Sequence, residues 1–160
     1  MAAELLFEWD DDYTVGIEEI DDQHKALIAM LNSLHRAIVD KRGSVTARKI
    51  LDQLADYTRT HFILEESLMR VMHYPGFDLH KEQHIELIKQ VSDLQEKLDN
   101  GGVSITFELL HFLKVWLSQH INESDKRYGA FFATTNQQGY SNWVAEVDST
   151  LKKKKWWKFW

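Results

Sequence analysis

The chain has 160 residues, and its 44% hydrophobic and 28% charged content is ordinary for one globular domain with a full core. It contains no cysteine, which excludes disulfides, zinc–thiolate sites and iron–sulfur clusters, so any metal must be held by His, Asp or Glu. The net charge is −6 although residues 152–158 contribute five lysines, so the body of the chain is strongly acidic and no nucleic-acid partner is expected.

The ends of the chain and its few helix breakers bear on location and fold class. The first residues lack a basic segment followed by a long apolar run, so they do not resemble a secretory signal. No run of about 18 apolar residues occurs, so we expect no membrane-spanning segment and a cytoplasmic protein. Seven glycines and one proline leave few places to interrupt helices, which favours an all-α chain.

Residues 1–20 are acidic and aromatic, and they predict an extended arm that packs across the helices. Asp21 or Asp22 can cap the first predicted helix, which runs to about Lys41. His24 lies on the apolar stripe of this helix. The stripe has helical spacing and consists of Leu27, Ile28, Leu31, Leu34 and Ile38.

Two further helices are predicted on either side of Tyr74-Pro75-Gly76, because proline beside glycine interrupts a helix strongly. The second helix starts at Ser44 or Thr46 and continues to about Met72. The third covers about residues 77–99 and is followed by a glycine-rich C-cap signal.

A fourth helix is predicted from about Ser104 through His120, with a short continuation to about Phe132. Four amphipathic helices with short connections predict an up-down-up-down four-helix bundle. We therefore divide the chain into three parts. These are a bundle at 1–132, a polar linker at 133–142, and a C-terminal segment at 143–160 that ends in a basic, aromatic tail.

Two pairs of candidate metal ligands stand on the second and third predicted helices. His61 and Glu65 are four residues apart, and so are His80 and His84. Four residues correspond to roughly 40° of helical rotation, so both members of a pair face the same way. Metal sites in helical bundles are built from such pairs on facing helices.

Three more polar residues are expected in the bundle interior, namely His24, His120 and Asp125. A single histidine on an apolar stripe is usually a satisfied core residue. Five histidines and two carboxylates buried together are different, because without a metal they would leave many polar groups unpaired. The set therefore predicts a metal site.

The spacing of His120 and Asp125 conflicts with a regular helix. Five residues correspond to roughly 140° of rotation, so the helix must end, tighten or bulge between them, with Asn122 as a candidate position. Glu123 is the rival carboxylate, but it would point almost opposite to His120. On the second helix, Glu66 points about 100° away from its neighbour Glu65, so Glu66→Ala is expected to be tolerated.

Several segments of the chain form a combined pattern with these ligands. They are Trp9, Tyr13-Thr14-Val15-Gly16-Ile17, Ile20-Asp21-Asp22-Gln23-His24, His61-Phe62 with Glu65-Glu66, His80 with His84, and His120 with Asp125. Over about residues 7–132 this pattern resembles the hemerythrins, in their single-domain bacterial form. All seven ligand positions of that family are filled in the family's order.

The resemblance implies a non-haem centre of two iron ions with a bridging oxide or hydroxide, which binds O2 reversibly rather than acting as an enzyme. One iron would be held by His80, His84 and His120, and the other by His24 and His61. Glu65 and Asp125 would bridge the two. Two octahedral irons with these ligands keep one open position, on the iron with two histidines. Candidates for an apolar lining are Leu27, Ile28, Leu64, Leu113, Trp116 and Leu117.

Alternatives remain for both the site and the tail. The site suits an oxygen carrier, store or delivery protein, an oxygen or redox sensor, or an iron-handling protein or enzyme acting on peroxide or nitric oxide. An enzyme would need a further acid–base pair, and none is evident. Residues 152–160 suit a peripheral membrane surface, for example near a membrane enzyme that consumes oxygen, but also an unstructured tail or a docking segment.

Overall fold

The computed structural model describes residues 5–101, 104–135 and 138–154, and every regular element in these ranges is helical. A short 3-10 turn at Asp11–Tyr13 precedes the first long helix. The helices are α1 (Glu18–Val39), α2 (Ser44–Val71), α3 (Phe77–Asp99), α4 (Phe107–Gln119), a π-helical segment (His120–Asp125), α5 (Lys126–Phe132) and α6 (Gln138–Lys154). None of the described helices is long and apolar enough to cross a membrane.

Helices α1 to α4 form the predicted up-down-up-down bundle. α1 packs against α2, α2 against α3, and α4 against α1, and short connections make successive helices antiparallel. Three apolar clusters fill the interior, the smallest of which joins α2 and α3 through Ala55, Phe62, Leu87 and Val91. The distal core lies where the α1–α2 and α3–α4 connections meet and includes Leu31, Leu34, Leu51 and Leu110. The C-terminal core takes in residues of the last helices and includes Ile20, Leu64, Leu68, Ile121 and Trp143.

The N-terminal arm packs across the bundle, as predicted. Phe7 is buried, its N–H donates to Asn32 Oδ1 at 2.9 Å, and its carbonyl accepts from Asn32 Nδ2 at 2.7 Å. Further along, the arm passes directly over α5. A Cβ at Gly129 would lie 2.2 Å from the Val15 carbonyl oxygen, so only glycine allows this approach.

The predicted cap at Asp21 or Asp22 is wrong, because α1 begins earlier, at Glu18, without a side-chain cap. The Asp21 carboxylate instead accepts hydrogen bonds from the Val15 N–H at 2.9 Å and from the Thr14 hydroxyl. It therefore ties the arm to the first turn of α1, where an acidic side chain suits the positive end of the helix dipole.

The other helix ends agree closely with the predictions, apart from the start of α4. α2 and α3 begin and end within a residue or two of the expected positions. Gly101 has a φ of +71° and ends α3, as the C-cap signal indicated. α4 begins at Phe107 rather than Ser104, because Thr106 caps it by accepting from the Leu109 N–H at 3.2 Å.

The predicted linker at 133–142 is shorter than expected, since α6 begins at Gln138 and reaches Lys154. α6 is held against α2. A Cβ at Gly139 would lie 2.3 Å from Val71 Cγ1, which shows how closely the two helices approach. Of the predicted tail at 152–160, residues 155–160 lie outside the described residues.

Trp143 fixes α6 to the middle of the bundle. Its side chain is 1% exposed, and its indole N–H donates to the Leu64 carbonyl at 2.8 Å and to Ser67 Oγ at 2.9 Å. Leu64 directly precedes Glu65 in α2. The C-terminal helix therefore contacts the same turn of α2 that carries a candidate metal ligand.

Candidate metal centre

The structure brings all seven candidate ligands together in one buried cluster, which we call the ligand cluster. α1 contributes one residue, α2 and α3 two each, and the π-helical segment the last two. None is more than 7% exposed. The residues are His24, His61, Glu65, His80, His84, His120 and Asp125.

The π-helical segment explains how His120 and Asp125 reach the same cluster. A π-helix has a wider turn than an α-helix, so residues five apart come close to the same face. The expected distortion is therefore a bulge at His120–Asp125 rather than an end or a tightening. Asp125 is 0% exposed, whereas Glu123, the rival carboxylate, is exposed.

The Glu65 carboxylate lies between two groups of histidines. Its Oε1 is 2.9 Å from His80 Nε2 and 3.1 Å from His84 Nε2. Its Oε2 is 3.1 Å from His61 Nε2 and 3.7 Å from His24 Nε2. The two oxygens of one carboxylate therefore face different histidine groups.

Asp125 repeats this arrangement from the other helix. Its Oδ1 is 3.0 Å from His80 Nε2 and 3.1 Å from His120 Nε2, while its Oδ2 is 3.0 Å from His24 Nε2. The nitrogens of His84 and His120 are 3.1 Å apart. Three histidines thus gather on one side of the carboxylates and two on the other.

Most of these separations match the edge of an octahedral metal site. Bonds of about 2.1 Å at right angles would place adjacent ligand atoms about 3.0 Å apart. The nitrogen–oxygen distances are between 2.9 and 3.1 Å, except for the wider His24–Glu65 pair. The donor set, with imidazole nitrogens and carboxylate oxygens, is one that iron accepts.

Several buried atoms of the cluster have no hydrogen-bond partner among the described residues. They are both ring nitrogens of His24, one oxygen of Glu65 and both oxygens of Asp125. Buried polar atoms are rarely left unpaired, because each such atom costs about 1–3 kcal/mol. A cation bound between the carboxylates would satisfy them, so the residues present fit a metal.

The cluster also shifts the pKa values of its members. Burial lowers the pKa of His24, but the negative charges of the Asp125 and Glu65 carboxylates close to its ring outweigh burial and raise the value to about 9. The same balance raises the pKa of His80 to about 10. Burial dominates at His61 and lowers its pKa. Burial raises the pKa of the Glu65 and Asp125 carboxyls, but the neighbouring histidines outweigh this effect and hold both pKa values below their usual range.

A second layer of polar residues orients the histidines, and sequence reasoning missed it. Gln23 Oε1 is 2.6 Å from His61 Nδ1, and Glu66 Oε2 is 3.1 Å from His84 Nδ1. The expectation that Glu66 is indifferent to replacement is therefore unsupported, because its carboxylate reaches across to α3. Only the side-chain conformations reveal this contact, since spacing along α2 points Glu66 away from Glu65.

Aromatic rings cover the three-histidine side. Phe62 stacks on His84 with ring centroids 3.7 Å apart and planes within 3°, and Trp116 stacks on His120 at 4.4 Å. Tyr128 is 0% exposed, and its ring lies 5.4 Å from that of His80. Burial and the nearby carboxylates raise the pKa of Tyr128, so its phenol stays protonated. Tyr128 follows Asp125 by about one helical turn, a signal that could have found it.

An apolar cavity of about 50 Å³ adjoins these rings. Its wall includes Phe62 and four of the six residues expected to line the site, whereas Ile28 and Leu64 are not part of it. The four are Leu27, Leu113, Trp116 and Leu117. Thr58 is the polar residue in the wall, and its hydroxyl donates to the Leu54 carbonyl.

The three remaining histidines lie away from the cluster. His111 is exposed on α4 and His73 is exposed just after α2. His35 packs its ring edge against Phe107, 6.1 Å between centroids.

A four-helix bundle that buries two carboxylates between two groups of histidines belongs to the class of helical-bundle metal proteins. The sequence from 15 to 132 matches the family model for the Hemerythrin HHE cation binding domain. The chain therefore belongs to the hemerythrin family, and the buried cluster fits a non-haem iron centre.

Named relatives and solved structures agree with this assignment. The chain is 37% identical over 123 residues to a bacteriohemerythrin of Stenotrophomonas maltophilia, covering 77% of this chain and 79% of that protein. It is 37% identical over 109 residues to a bacteriohemerythrin of Methylococcus capsulatus, covering 68% and 82%. A crystal structure of wild-type hemerythrin superposes with a TM-score of 0.75 at 33% identity, covering 78% of this chain and 96% of that one. These matches support a di-iron oxygen-binding protein as the general class.

Proposed function

We propose that the ligand cluster holds two iron ions and that the protein binds dioxygen reversibly, in order to carry, store or deliver it. The observation that carries this proposal is the placement of Glu65 and Asp125. Each turns one oxygen toward His80 and its neighbours and the other toward His24. Carboxylates so placed suit two metal ions that share them as bridges.

The assignment of ligands follows the two histidine groups. His80, His84 and His120 would hold one iron, and His24 and His61 would hold the other, with a bridging oxide or hydroxide between them. The iron with two histidines would then keep a position free for an external ligand. The two irons would supply the electrons that reversible binding of dioxygen requires.

The ligand balance favours binding over oxidation chemistry. Five neutral imidazoles and two carboxylates stabilise ferric iron less than a carboxylate-rich set would. The cavity beside Phe62 and Trp116 is also apolar, and an apolar space of this kind stays free of ordered water while admitting a small apolar molecule.

Anaerobic reduction followed by cycles of oxygen and argon tests the proposal. We expect a visible ligand-to-iron absorption band that appears under oxygen and disappears under argon over repeated cycles. His120→Ala should lose the band, whereas His111→Ala, at an exposed histidine on the preceding helix α4, should keep it. Irreversible oxidation at first contact with oxygen, or a single zinc per chain, would contradict the proposal.

An oxygen or redox sensor using the same irons is the second candidate, and α6 favours it. The Trp143 indole bonds to Leu64, next to Glu65, so a change at the irons has a direct route to the C-terminal segment. Amide hydrogen exchange of α6 tests this candidate. A sensor should change the exchange of residues around Trp143 between the reduced and oxygenated forms, whereas a carrier should not.

We further propose that residues 152–160 attach the protein weakly to anionic membrane, at the cytoplasmic face and near an enzyme that consumes oxygen. Five lysines and four aromatic residues support this, at about 1 kcal/mol for each lysine near an anionic surface. The full chain should co-sediment with anionic vesicles at low salt, and a form ending at Thr150 should not. Equal sedimentation of both forms, or binding to neutral vesicles alone, would remove this role.

A further inference from the structure

The two histidine groups differ in what supports them from behind. His84 is supported by Glu66, whose Oε2 lies 3.1 Å from Nδ1 and whose side chain is 13% exposed. A carboxylate of this kind only accepts hydrogen bonds, so it fixes the proton of His84 on Nδ1. The Nε2 lone pair then faces the Glu65 and His120 side of the cluster.

His61 is supported by an uncharged amide instead. Gln23 is 2% exposed, and its Oε1 lies 2.6 Å from His61 Nδ1. An acceptor at Nδ1 is what ligation through Nε2 requires, because a neutral imidazole carries one proton. The Gln23 Nε2 atom has no hydrogen-bond partner among the described residues. The hydrogen bond to His61 is therefore the one contact of this kind that the Gln23 amide makes with the described residues.

Packing holds the two arrangements in place. The Phe62 ring lies parallel to His84 at 3.7 Å, which leaves His84 little freedom to rotate away from Glu66. The His61 ring meets His24 edge-on at 4.9 Å, so both rings of the two-histidine group brace each other. One histidine of the three-histidine group, His84, thus has a negative charge at its Nδ1, whereas His61 of the two-histidine group has a neutral amide there.

On the basis of the proposed di-iron function, we propose that Glu66 and Gln23 are positioning residues that widen the difference in affinity between the three-histidine and the two-histidine metal positions. A carboxylate behind a ligating imidazole raises its basicity more than an amide does. The position formed by His80, His84 and His120 therefore binds metal more tightly and fills first. The position formed by His24 and His61 binds its metal more weakly.

Anaerobic titration of the metal-free full chain with iron(II), against a competing chelator, tests this inequality. We expect two steps of unequal affinity. Glu66→Gln, which keeps the shape but removes the charge, should weaken the tighter step about 10-fold and leave the weaker step in place. Glu86→Gln, at an exposed glutamate on α3, is the matched control and should change neither step.

Replacement of Gln23 distinguishes an effect of charge at His61 Nδ1 from a purely structural role of the side chain. Gln23→Glu should strengthen the weaker step, and Gln23→Met, which cannot accept well at Nδ1, should weaken it about 10-fold. A purely structural role would weaken both steps in both variants. Two equal steps in the parent chain, or a Glu66→Gln titration that matches Glu86→Gln, would overturn the inference. If the parent chain binds fewer than two irons, the proposed function fails before this inference is reached.

Discussion

The distal core and the ligand cluster occupy the same bundle but are built on opposite principles. The distal core is filled by apolar side chains such as Leu34, Leu51 and Leu110, and its ion pairs, such as Arg48 with Asp99, lie at the surface. The ligand cluster buries seven polar side chains between apolar residues. The first arrangement is stable without any ligand, whereas the second leaves polar atoms unpaired until a cation binds.

This difference indicates a division of labour along the bundle. Apolar burial in the distal core contributes to stability whether or not metal is present, at about 25 cal/mol per Å² removed from water. The ligand cluster contributes little without metal and gains from binding, since anything that binds only the folded state stabilises it. Variants on each side should therefore separate fold stability from metal content.

The largest effect on the ligand cluster is expected from replacing Glu65. Glu65→Ala removes the carboxylate that lies between both histidine groups, so the iron content should fall well below two per chain. The metal-free chain should still fold, because the distal core is intact. Elemental analysis and circular dichroism report the two effects, with the exposed Glu86→Ala as control; retention of two irons would contradict the bridging role.

The opposite result, lower stability with iron binding retained, is expected in the distal core at Leu34, which is 0% exposed. Leu34→Ala should lower the free energy of unfolding by about 2–5 kcal/mol through lost burial and the cavity left behind. The folded variant should still bind two irons. Denaturant unfolding of metal-free and iron-loaded protein measures both quantities. Val45→Ala on α2, at a side chain 84% exposed, should change the stability by less than about 0.5 kcal/mol.

The ligand cluster should also differ from the distal core in how it depends on pH, because iron uptake releases protons from its histidines. His24 and His80, with pKa values raised to about 9 and about 10, still hold protons in the metal-free chain at neutral pH. Iron must displace those protons, so its apparent affinity should rise about 10-fold per pH unit for each proton released between pH 6.5 and 9. The sign follows from the raised values, which favour the protonated, metal-free state below them.

Chelator competition at several pH values measures this trend, and proton release on iron addition measures it independently. Among the residues that the structure describes, the distal core contains no buried histidine. Its contribution to the free energy of unfolding should therefore not change with pH in the same way. An affinity that stays flat between pH 6.5 and 9 would show that the histidines are already neutral before metal binds.

The smallest effect is expected at the contact between α6 and α2. Trp143→Phe keeps the apolar ring but removes the indole N–H that donates to Leu64 and Ser67, and should cost about 1 kcal/mol of stability. The loss should be accompanied by faster iron release, because the affected turn of α2 carries Glu65. If the stability falls but iron release is unchanged, α6 belongs with the bundle scaffold rather than with the ligand cluster.

Helical spacing alone was enough to predict the bundle and to place most of the cluster. His61 with Glu65 and His80 with His84 lie one turn apart on facing helices, so their convergence needs only regular geometry. Asp125 needed more, since its spacing from His120 demanded a distortion whose kind sequence could not choose. The π-helical segment supplies it.

What sequence did not reveal depends on tertiary packing. The polar stretch before Trp143 looks like a linker, yet burial of that indole against α2 extends α6 into it. Asp21 has the chemistry of a helix cap, but the arm competes for its carboxylate. Gln23 and Glu66 reach their histidines through side-chain conformations that spacing does not determine.

The most direct test of a shared, two-metal site is Mössbauer spectroscopy of iron-loaded protein together with iron analysis. Glu65 and Asp125 each face both histidine groups, so two irons bound here should lie close enough to be magnetically coupled. We expect two irons per chain and spectra of a single exchange-coupled pair. One iron per chain, or two irons that behave as isolated ions, would contradict the account.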